Sequence, residues 1–186
     1  GLADRVEIRY ADYRLLEGRH DRIASIEMLE AIGERQFGTY FATLDRLLAA
    51  DGIACVQTIA MPDAAYERYR RSRDWIQTYV FPGGHLPSLT VLTAAMTRAS
   101  ALQVHAVEEI GPHYAETLRA WRERFEAARP AVRALGYDDR FERTWRFYLA
   151  FCEAGFRTRV LRDLQLTLTR AGNASLASYP LPGMGM

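Results

Sequence analysis

Polar side chains that could take part in chemistry stand near the ends of two apolar runs of this sequence. Glu30 comes shortly after the run 21–26, and Gln57 lies near the end of the run 53–59. A carboxylate accepts hydrogen bonds and protons, whereas a glutamine amide donates and accepts hydrogen bonds but cannot ionise. Such side chains can hold and orient a small polar reactant. Position alone also allows Glu30 to be a solvated residue beyond a strand.

Two aromatic residues are further candidates. Phe81 opens the segment 81–88, which contains two prolines and two glycines and is therefore predicted to be a loop. The face of an aromatic ring stabilises a nearby cation, although Phe81 could equally be ordinary loop packing. Tyr114 offers a hydroxyl, but its helical spacing from Leu118 and Trp121 is, by itself, typical of a core tyrosine.

Asp12 and Tyr13 follow the first strand-like run, 6–10. A carboxylate at this position could accept a hydrogen bond from an exocyclic amine such as that of adenine, or be a plain strand-end aspartate. The cysteines, Cys55 and Cys152, have no neighbouring basic group, which favours structural roles. They form no disulfide framework and show no metal-ligand spacing, so the sequence predicts a reduced, cytoplasmic protein without a metal site.

The composition is that of an ordinary globular domain. The chain has 186 residues, of which 49% are hydrophobic and 25% are charged, enough for one domain with a sizeable core. The formal net charge of +1 gives no indication of nucleic-acid binding. No apolar run approaches the roughly 18 residues of a spanning helix, so any membrane contact is expected to be peripheral.

Hydrophobic periodicity predicts an α/β fold. Strands are expected near residues 6–10, 22–27, 53–59, 104–110 and 160–169. Because the first elements alternate as strand, helix and strand with short links, we expect a mostly parallel sheet with helices on both faces. The tail 171–186, which contains glycine and proline, is expected to be disordered, leaving residues 1–170 as the domain.

The segment 62–79 is predicted to be a polar, helical insertion. It carries four arginines and two interleaved tyrosines: Arg68, Arg70, Arg71, Arg73, Tyr66 and Tyr69. Such a run is most often a solvated helix face. Alternatively, it attracts anionic lipid headgroups, each cation contributing roughly 1 kcal/mol near the membrane surface.

Several local strings resemble, in order and over nearly the whole chain, successive blocks of the cyclopropane fatty acid synthases. This family of S-adenosylmethionine-dependent methyltransferases includes the mycolic acid cyclopropane synthases. The strings are DYR at 12–14, SIEMLEAIG at 25–33, QTI at 57–59, FPGGHLPS at 81–88, PHYAETL at 112–118, WRFYL at 145–149 and AGFR at 154–157.

The resemblance implies a Rossmann-like class I methyltransferase sheet flanked by helices, with 62–79 as a lipid-binding helical insertion. Family members have a glycine-rich loop that holds the methionine part of S-adenosylmethionine, and this sequence contains no such loop. By the resemblance, the chain is therefore the C-terminal part of the catalytic domain, lacks the N-terminal strands and is expected to be inactive alone. The absent strands belong between 6–10 and 22–27, so those two runs are not expected to pair.

The resemblance also implies a role for each candidate at the reaction centre. In the family, the base is thought to be a bound bicarbonate, which takes a proton so that the ring can close. By the matching blocks, Glu30 accepts a hydrogen bond from the bicarbonate, and the Ile59 backbone and the Tyr114 hydroxyl donate to it. Phe81 lines the substrate site.

Two further positions follow from the same blocks. Asp12 and Tyr13 are expected to contact the adenine of S-adenosylmethionine. Many family members carry histidine where this chain has Gln57, and glutamine fits a holder of the bicarbonate but not a proton relay.

The implied activity is methyl(ene) transfer from S-adenosylmethionine to the cis double bond of an unsaturated phospholipid acyl chain, forming a cyclopropane ring. One alternative is a methylene- or methyl-branched product. The glutamine at position 57 resembles an actinobacterial-type subgroup of the family, in which some members form such products. Others are a methyltransferase for a small soluble substrate and a catalytically incomplete lipid-binding or oligomerisation module. The expected setting is the cytoplasmic, inner face of the membrane, with a homodimer as one option.

Overall fold

The computed structural model describes residues 1–176 and contains one four-stranded sheet. Its strands are β1 (His20–Ile26), β2 (Leu48–Ala60), β3 (Leu102–Glu109) and β4 (Arg162–Arg170). They are arranged in the order β1-β2-β4-β3, so β1 and β3 form the two edges. Four of the five predicted strands are therefore confirmed near their expected positions.

The sheet is mixed, and the expectation of a mostly parallel sheet is wrong. Only β1 and β2 pair in parallel, whereas β4 runs antiparallel to both β2 and β3. Hydrophobic periodicity shows that 162–170 is a strand but carries no information about its direction. The inserted antiparallel β4 makes the carboxyl ends of β1 and β2 meet the amino end of β4 at one edge of the sheet.

Residues 6–10 form no strand, which corrects the first of the five strand predictions. Ile8 and Tyr10 are fully exposed, and no other segment of the described chain pairs with them. An extended run forms a stable strand only where a neighbouring strand accepts its hydrogen bonds. The related expectation, that 6–10 does not pair with 22–27, is confirmed.

Seven α-helices connect the strands. They are α1 (Leu29–Ile32), α2 (Phe37–Leu47), α3 (Asp63–Tyr69), α4 (Trp75–Tyr79), α5 (Leu89–Ala99), α6 (Gly111–Ala134) and α7 (Asp139–Arg157). Two helix starts follow from side-chain capping, because Ser88 accepts from the Val91 N–H and Asp138 accepts from the Phe141 N–H. The predicted insertion 62–79 is thus two short helices.

Helices cover both faces of the sheet, as expected. On one face, α2 and α5 pack on the even-numbered residues of β2 and β4, such as Val56 and Leu166, in the main hydrophobic core. On the other face, the antiparallel pair α6 and α7 packs near Ile59 through a smaller apolar cluster. Successive strand residues point to opposite faces, so the odd-numbered polar residues of β2 and β4 share the second face.

The prediction of a disordered tail is wrong for residues 171–176. A short 3-10 helix spans Ala174–Leu176, and the Asn173 amide donates to the Gly52 carbonyl and to the Thr169 hydroxyl. These hydrogen bonds hold the segment against the end of β2. The remainder of the predicted tail lies outside the described residues. Within residues 1–176, no helix combines the length and the apolar character needed to cross a membrane.

Candidate active site

The parallel pairing of β1 and β2 brings Glu27, which follows β1, next to Gln57 of β2. Both strands end at the same edge of the sheet, and α/β folds bind ligands at this edge. Glu27 follows β1 with a positive φ of 51°, and its N–H donates to the Gln57 carbonyl at 2.9 Å. A non-glycine residue in the left-handed region is uncommon and here turns the chain sharply from β1 into α1.

Glu30 lies on α1 and points at the end of β2. One carboxylate oxygen, Oε1, accepts from the Thr58 hydroxyl at 3.0 Å and from the Ile59 N–H. The other oxygen, Oε2, is buried and has no hydrogen-bond partner among residues 1–176. Burial raises the pKa of Glu30, against the hydrogen bonds that favour its ionised form and with a smaller contribution from Glu27.

The position of Ile59 differs from the implied role. Its N–H donates to Glu30 itself, so this donor holds the carboxylate in place. Glu30 and Ile59 therefore contact each other, whereas the resemblance implied that both contact a bicarbonate. Any bound anion would meet the free oxygen of Glu30.

Gln57 is the centre of a second hydrogen-bond network. Its amide nitrogen donates to Glu27 at 3.1 Å and to Asp163 at 3.2 Å. Its oxygen accepts from the Gln165 amide at 2.9 Å. An amide has two N–H groups and one oxygen, so these contacts occupy both hydrogens and fix the orientation of the side chain.

Asp163 is a buried carboxyl group that the sequence reasoning missed. Its side chain is 1% exposed, and its Oδ1 has no partner in the described part of the chain. The pKa of Asp163 is raised to about 7, by burial first and then by the charges of Glu27, Glu30 and Glu109. Like charges at short range oppose the ionised form, so this carboxyl retains a proton far above the usual range of an aspartate.

Tyr114 stands beside this cluster on the first turn of α6. Its ring packs against Phe156 at a centroid distance of 4.8 Å and meets Trp121 edge-on at 6.4 Å. Burial raises the pKa of its hydroxyl, and the nearby acidic groups Glu27 and Asp163 raise it further. The residue therefore combines the core packing expected from its helical spacing with a position near the carboxyl groups.

Phe81 lies farther out, at the rim of the same face. Its side chain is exposed and its ring meets Tyr148 of α7 edge-on at 6.1 Å. The loop that carries Phe81 is tied to the site, because the His85 N–H donates to the Glu30 carbonyl at 2.9 Å. Burial lowers the pKa of His85, whose ring contacts the Tyr66 hydroxyl at 2.8 Å.

Asp12 and Tyr13 line a separate surface depression of about 660 Å³ next to α1. Asp12 caps a short 3-10 helix and forms a bidentate ion pair with Arg14, which lowers the pKa of its carboxyl to about 2. The Tyr13 ring packs on Tyr40 at a centroid distance of 6.0 Å. Met28 and Ile32 also line the depression. Glu30, two residues from each of them, points to the opposite side of α1 because a helix turns by about 100° per residue.

A sequence signal existed for the missed residues. Glu27 is the first residue after β1, and Asp163 and Gln165 are polar positions in a strand whose alternate positions are leucine. In a strand with both faces covered, buried polar side chains need hydrogen-bond partners, which neighbouring polar residues can supply. The direction of β4 was the missing information, since it pairs Gln165 with Gln57 and Asp163 with Ile59.

The close approach of α6 to β4 gives a stability prediction. A Cβ at Gly111 would lie 2.8 Å from a Glu109 carboxylate oxygen and 3.2 Å from the Asp163 nitrogen. We expect Gly111→Ala to lower the free energy of unfolding by about 1–3 kcal/mol, the usual cost of overpacking. Thermal unfolding of the complete gene product, followed by circular dichroism, measures the change.

Gly38 on α2 provides the matched control. A Cβ there would meet only the Ala99 methyl, at an ordinary 3.8 Å. Gly38→Ala should therefore raise stability by up to about 1 kcal/mol, because alanine favours a helix over glycine. Equal effects of the two alanines would contradict the tight approach at Gly111.

Comparisons with known proteins agree on one family. The family model described as mycolic acid cyclopropane synthetase matches residues 1–166. The tuberculostearic acid methyltransferase UfaA1 of Mycobacterium tuberculosis is 43% identical over 172 residues, which cover 92% of this chain and 40% of that protein. The cyclopropane-fatty-acyl-phospholipid synthase of Escherichia coli K12 is 37% identical over 169 residues, covering 89% and 41%.

A solved structure shows the same architecture. The mycolic acid cyclopropane synthase CmaA1, complexed with SAH and CTAB, superposes with a TM-score of 0.75 at 28% identity, over 86% of this chain and 59% of that one. The fold is that of the class I S-adenosylmethionine-dependent methyltransferases. The chain spans about 40% of the length of the curated relatives described above.

Proposed function

Because the chain belongs to the mycolic acid cyclopropane synthetase family, we propose that its complete gene product is a methyltransferase acting on lipid acyl chains. It transfers the methyl group of S-adenosylmethionine to a cis double bond of an unsaturated phospholipid acyl chain. Residues 1–170 form the C-terminal part of its catalytic domain and hold the group that removes a proton after methyl transfer.

The environment of the Glu30 carboxylate is the main support for this proposal. Its carboxylate is fixed by Thr58 and Ile59 at the edge of the sheet, and its second oxygen is buried without a partner in residues 1–176. A buried, unpartnered acceptor is costly unless a ligand uses it. Methylation of an alkene leaves a cation that must lose a proton, so a buried acceptor held in a fixed position matches the reaction.

The depression beside α1 fits the adenosyl end of S-adenosylmethionine, which supplies an activated methyl group on a sulfonium. Tyr13, Met28 and Ile32 offer apolar surface for an adenine, and Gln36 offers hydrogen bonds. Asp12 can accept from an exocyclic amine, although its oxygens already bind Arg14. The sequence contains no glycine-rich loop for the methionine end, so this chain supplies contacts for the adenosyl end of S-adenosylmethionine.

A bicarbonate, which would serve as the proton acceptor, fits the free oxygen of Glu30 through its hydroxyl. Tyr114 is the neighbouring donor, and the amide of Gln57 is already committed to Glu27 and Asp163. The charge of the site limits this fit. An anion lies unfavourably beside several carboxylates unless at least one of them carries a proton.

The first product that we propose is a cyclopropane ring. It closes when a base removes a proton from the transferred methyl group and the electrons of that C–H bond form the new bond to the cationic carbon. A branched product is a second candidate, favoured by Gln57 and by the 43% identity to a tuberculostearic acid methyltransferase. Glutamine cannot relay a proton, so the cation has a longer opportunity to shift a hydride before it loses its proton. The product is then a methylene-branched chain.

Lipid analysis tests the proposal directly. The complete gene product is expressed in bacteria that contain unsaturated phospholipids, and their fatty acid methyl esters are examined by gas chromatography and mass spectrometry. We expect acyl chains heavier by one carbon, and their retention and fragmentation distinguish ring from branch. Acyl chains unchanged in mass, with the protein present and folded, would contradict the function.

A membrane-facing surface is also part of the proposal. Aromatic rings of α4, α7 and the loop after α4 form a partly exposed patch, in which Trp75 meets Phe147 at 4.6 Å and Phe147 stacks with Phe151 at 5.6 Å. The arginines of α3 and of the turn after it are exposed, and they directly precede α4 in the sequence. Aromatic groups with cations around them suit the interface of an anionic bilayer.

A further inference from the structure

The charge balance of the site is unusual, because three carboxyl groups converge without a cationic partner. Glu27, Glu30 and Asp163 form no ion pair with any arginine or histidine of residues 1–176. The guanidinium of Arg162, the residue before Asp163, is bound to Glu109. Charges in a low-dielectric site need such partners, and otherwise one of the groups takes up a proton.

The geometry identifies Asp163 as the group that takes it. Asp163 lies opposite Ile59 in the β2–β4 ladder and is 1% exposed. Its backbone nitrogen lies 3.2 Å from the position of a Cβ on Gly111, at the start of α6. Its carboxyl receives a single hydrogen bond, from Gln57. Two groups are better solvated, since Glu30 receives two hydrogen bonds and Glu27 is only half-buried.

The start of α6 does not neutralise Asp163. The N–H groups of His113 and Tyr114 donate to the Ile110 carbonyl, and Pro112 has no N–H. The Ile110 N–H donates to the backbone carbonyl of Asp163 and leaves the carboxyl untouched. The carboxyl thus lacks the direct donors that a helix end can offer to an anion.

We propose that Asp163 is held as a neutral carboxylic acid and acts as a positioning residue. In this form it accepts from Gln57, keeps that amide turned toward Glu27, and lets an anionic base lie beside Glu30 without a further negative charge from Asp163. This inference rests on the proposed function, because it assigns a role in proton removal. The charged or titratable groups around Asp163 are Glu27, Glu30, Glu109, Arg162 and Tyr114.

The first test is independent of activity and uses Asp163→Asn in the complete gene product. The raised pKa means that the folded protein keeps the proton between about pH 4 and about pH 7, whereas the unfolded chain releases it. Stability due to the protonated group is thus lost as the pH rises toward 7. Asparagine, which resembles the neutral acid, should raise the melting temperature at pH 8, and the gain should shrink toward pH 4.

Asp45 provides the opposite control. Its carboxylate forms an ion pair with Arg170 at 2.7 Å and accepts from the Ala101 N–H. Asp45→Asn should therefore lower the melting temperature at pH 8. If Asp163→Asn also lowers it at pH 8, or shifts it equally at pH 4 and pH 8, the neutral state of Asp163 is refuted.

The second test follows methyl transfer against pH. Wild-type turnover should fall above pH 7, and the ratio of Asp163→Asn to wild-type turnover should rise on the order of tenfold between pH 6.5 and pH 8.5. Asp163→Ala removes the acceptor for Gln57 and should be slow at every pH. An inactive asparagine variant that binds S-adenosylmethionine would overturn the positioning role. A wild-type protein without transfer would instead refute the function, while the melting experiment still reports on Asp163.

Discussion

Replacing Glu30 with glutamine is expected to lower the turnover of the complete gene product by about 10²–10⁴-fold, the usual range for a group that acts in proton transfer. Glutamine keeps the size of the side chain and can still accept from Ile59, but it cannot accept a proton. Binding of S-adenosylmethionine should change less than about twofold, because the adenosyl depression lies on the other side of α1. Steady-state kinetics and calorimetry measure the two effects.

The pH dependence of wild-type turnover provides a second readout for Glu30. Burial raises its pKa, so the active, ionised form is lost as the pH falls, at a higher pH than the value near 4.3 of an exposed glutamate. Together with a neutral Asp163, this gives a bell-shaped profile. Glu108→Gln is the matched control, since Glu108 is exposed on β3. Full activity of Glu30→Gln would remove Glu30 from the reaction.

Replacing Arg68, Arg70, Arg71 and Arg73 with glutamine should weaken binding of the complete gene product to anionic phospholipid vesicles. Arg70 and Arg71 already pair with Glu67, and Arg70 also pairs with Glu34. Arg68 and Arg73 form no ion pair within residues 1–176. Counting mainly these two, at roughly 1 kcal/mol each, we expect a loss of about 30-fold. Vesicle cosedimentation measures it, and the loss should shrink at high salt because ions screen the attraction.

The control keeps the same change in net charge elsewhere on the surface. It replaces four exposed arginines of α5, α6 and α7, namely Arg98, Arg124, Arg140 and Arg143. Their loss should weaken vesicle binding much less, and methyl transfer to a soluble short-chain analogue should survive the substitutions at 68–73. Equal losses in the two variants would leave the arginines of 68–73 as a solvated face.

Much of the fold could be predicted because burial imposes a period on the sequence. The apolar stripe that begins at Phe37 predicted α2, and the alternation of leucine with polar residues predicted β4. Each pattern fits only one regular structure that places all of its apolar side chains on one buried face. Strand direction was not predictable, because an antiparallel and a parallel strand bury the same alternating side chains. This uncertainty explains the wrong expectation of a mostly parallel sheet.

The candidate site was predictable in its first half only. Glu30 follows β1 and Gln57 lies near the end of β2. Because these two strands are parallel neighbours, the proximity of the two residues follows from local sequence and a simple rule. Asp163 and Gln165 come from a strand more than a hundred residues later, and only the register of β4 on β2 brings them to Gln57. Long-range register depends on the packing of the whole sheet, which no local pattern encodes.

The unpaired outer edge of β1 is expected to promote self-association of residues 1–186 when they are prepared alone. Along β1, the backbone groups that face away from β2 have no strand beside them in residues 1–176, and Ile26 at its end is 59% exposed. An open edge with an apolar end recruits further strands from other molecules. Residues 1–186 prepared alone should therefore self-associate with rising concentration, and Ile26→Lys should suppress the precipitate by placing a charge at the point of contact.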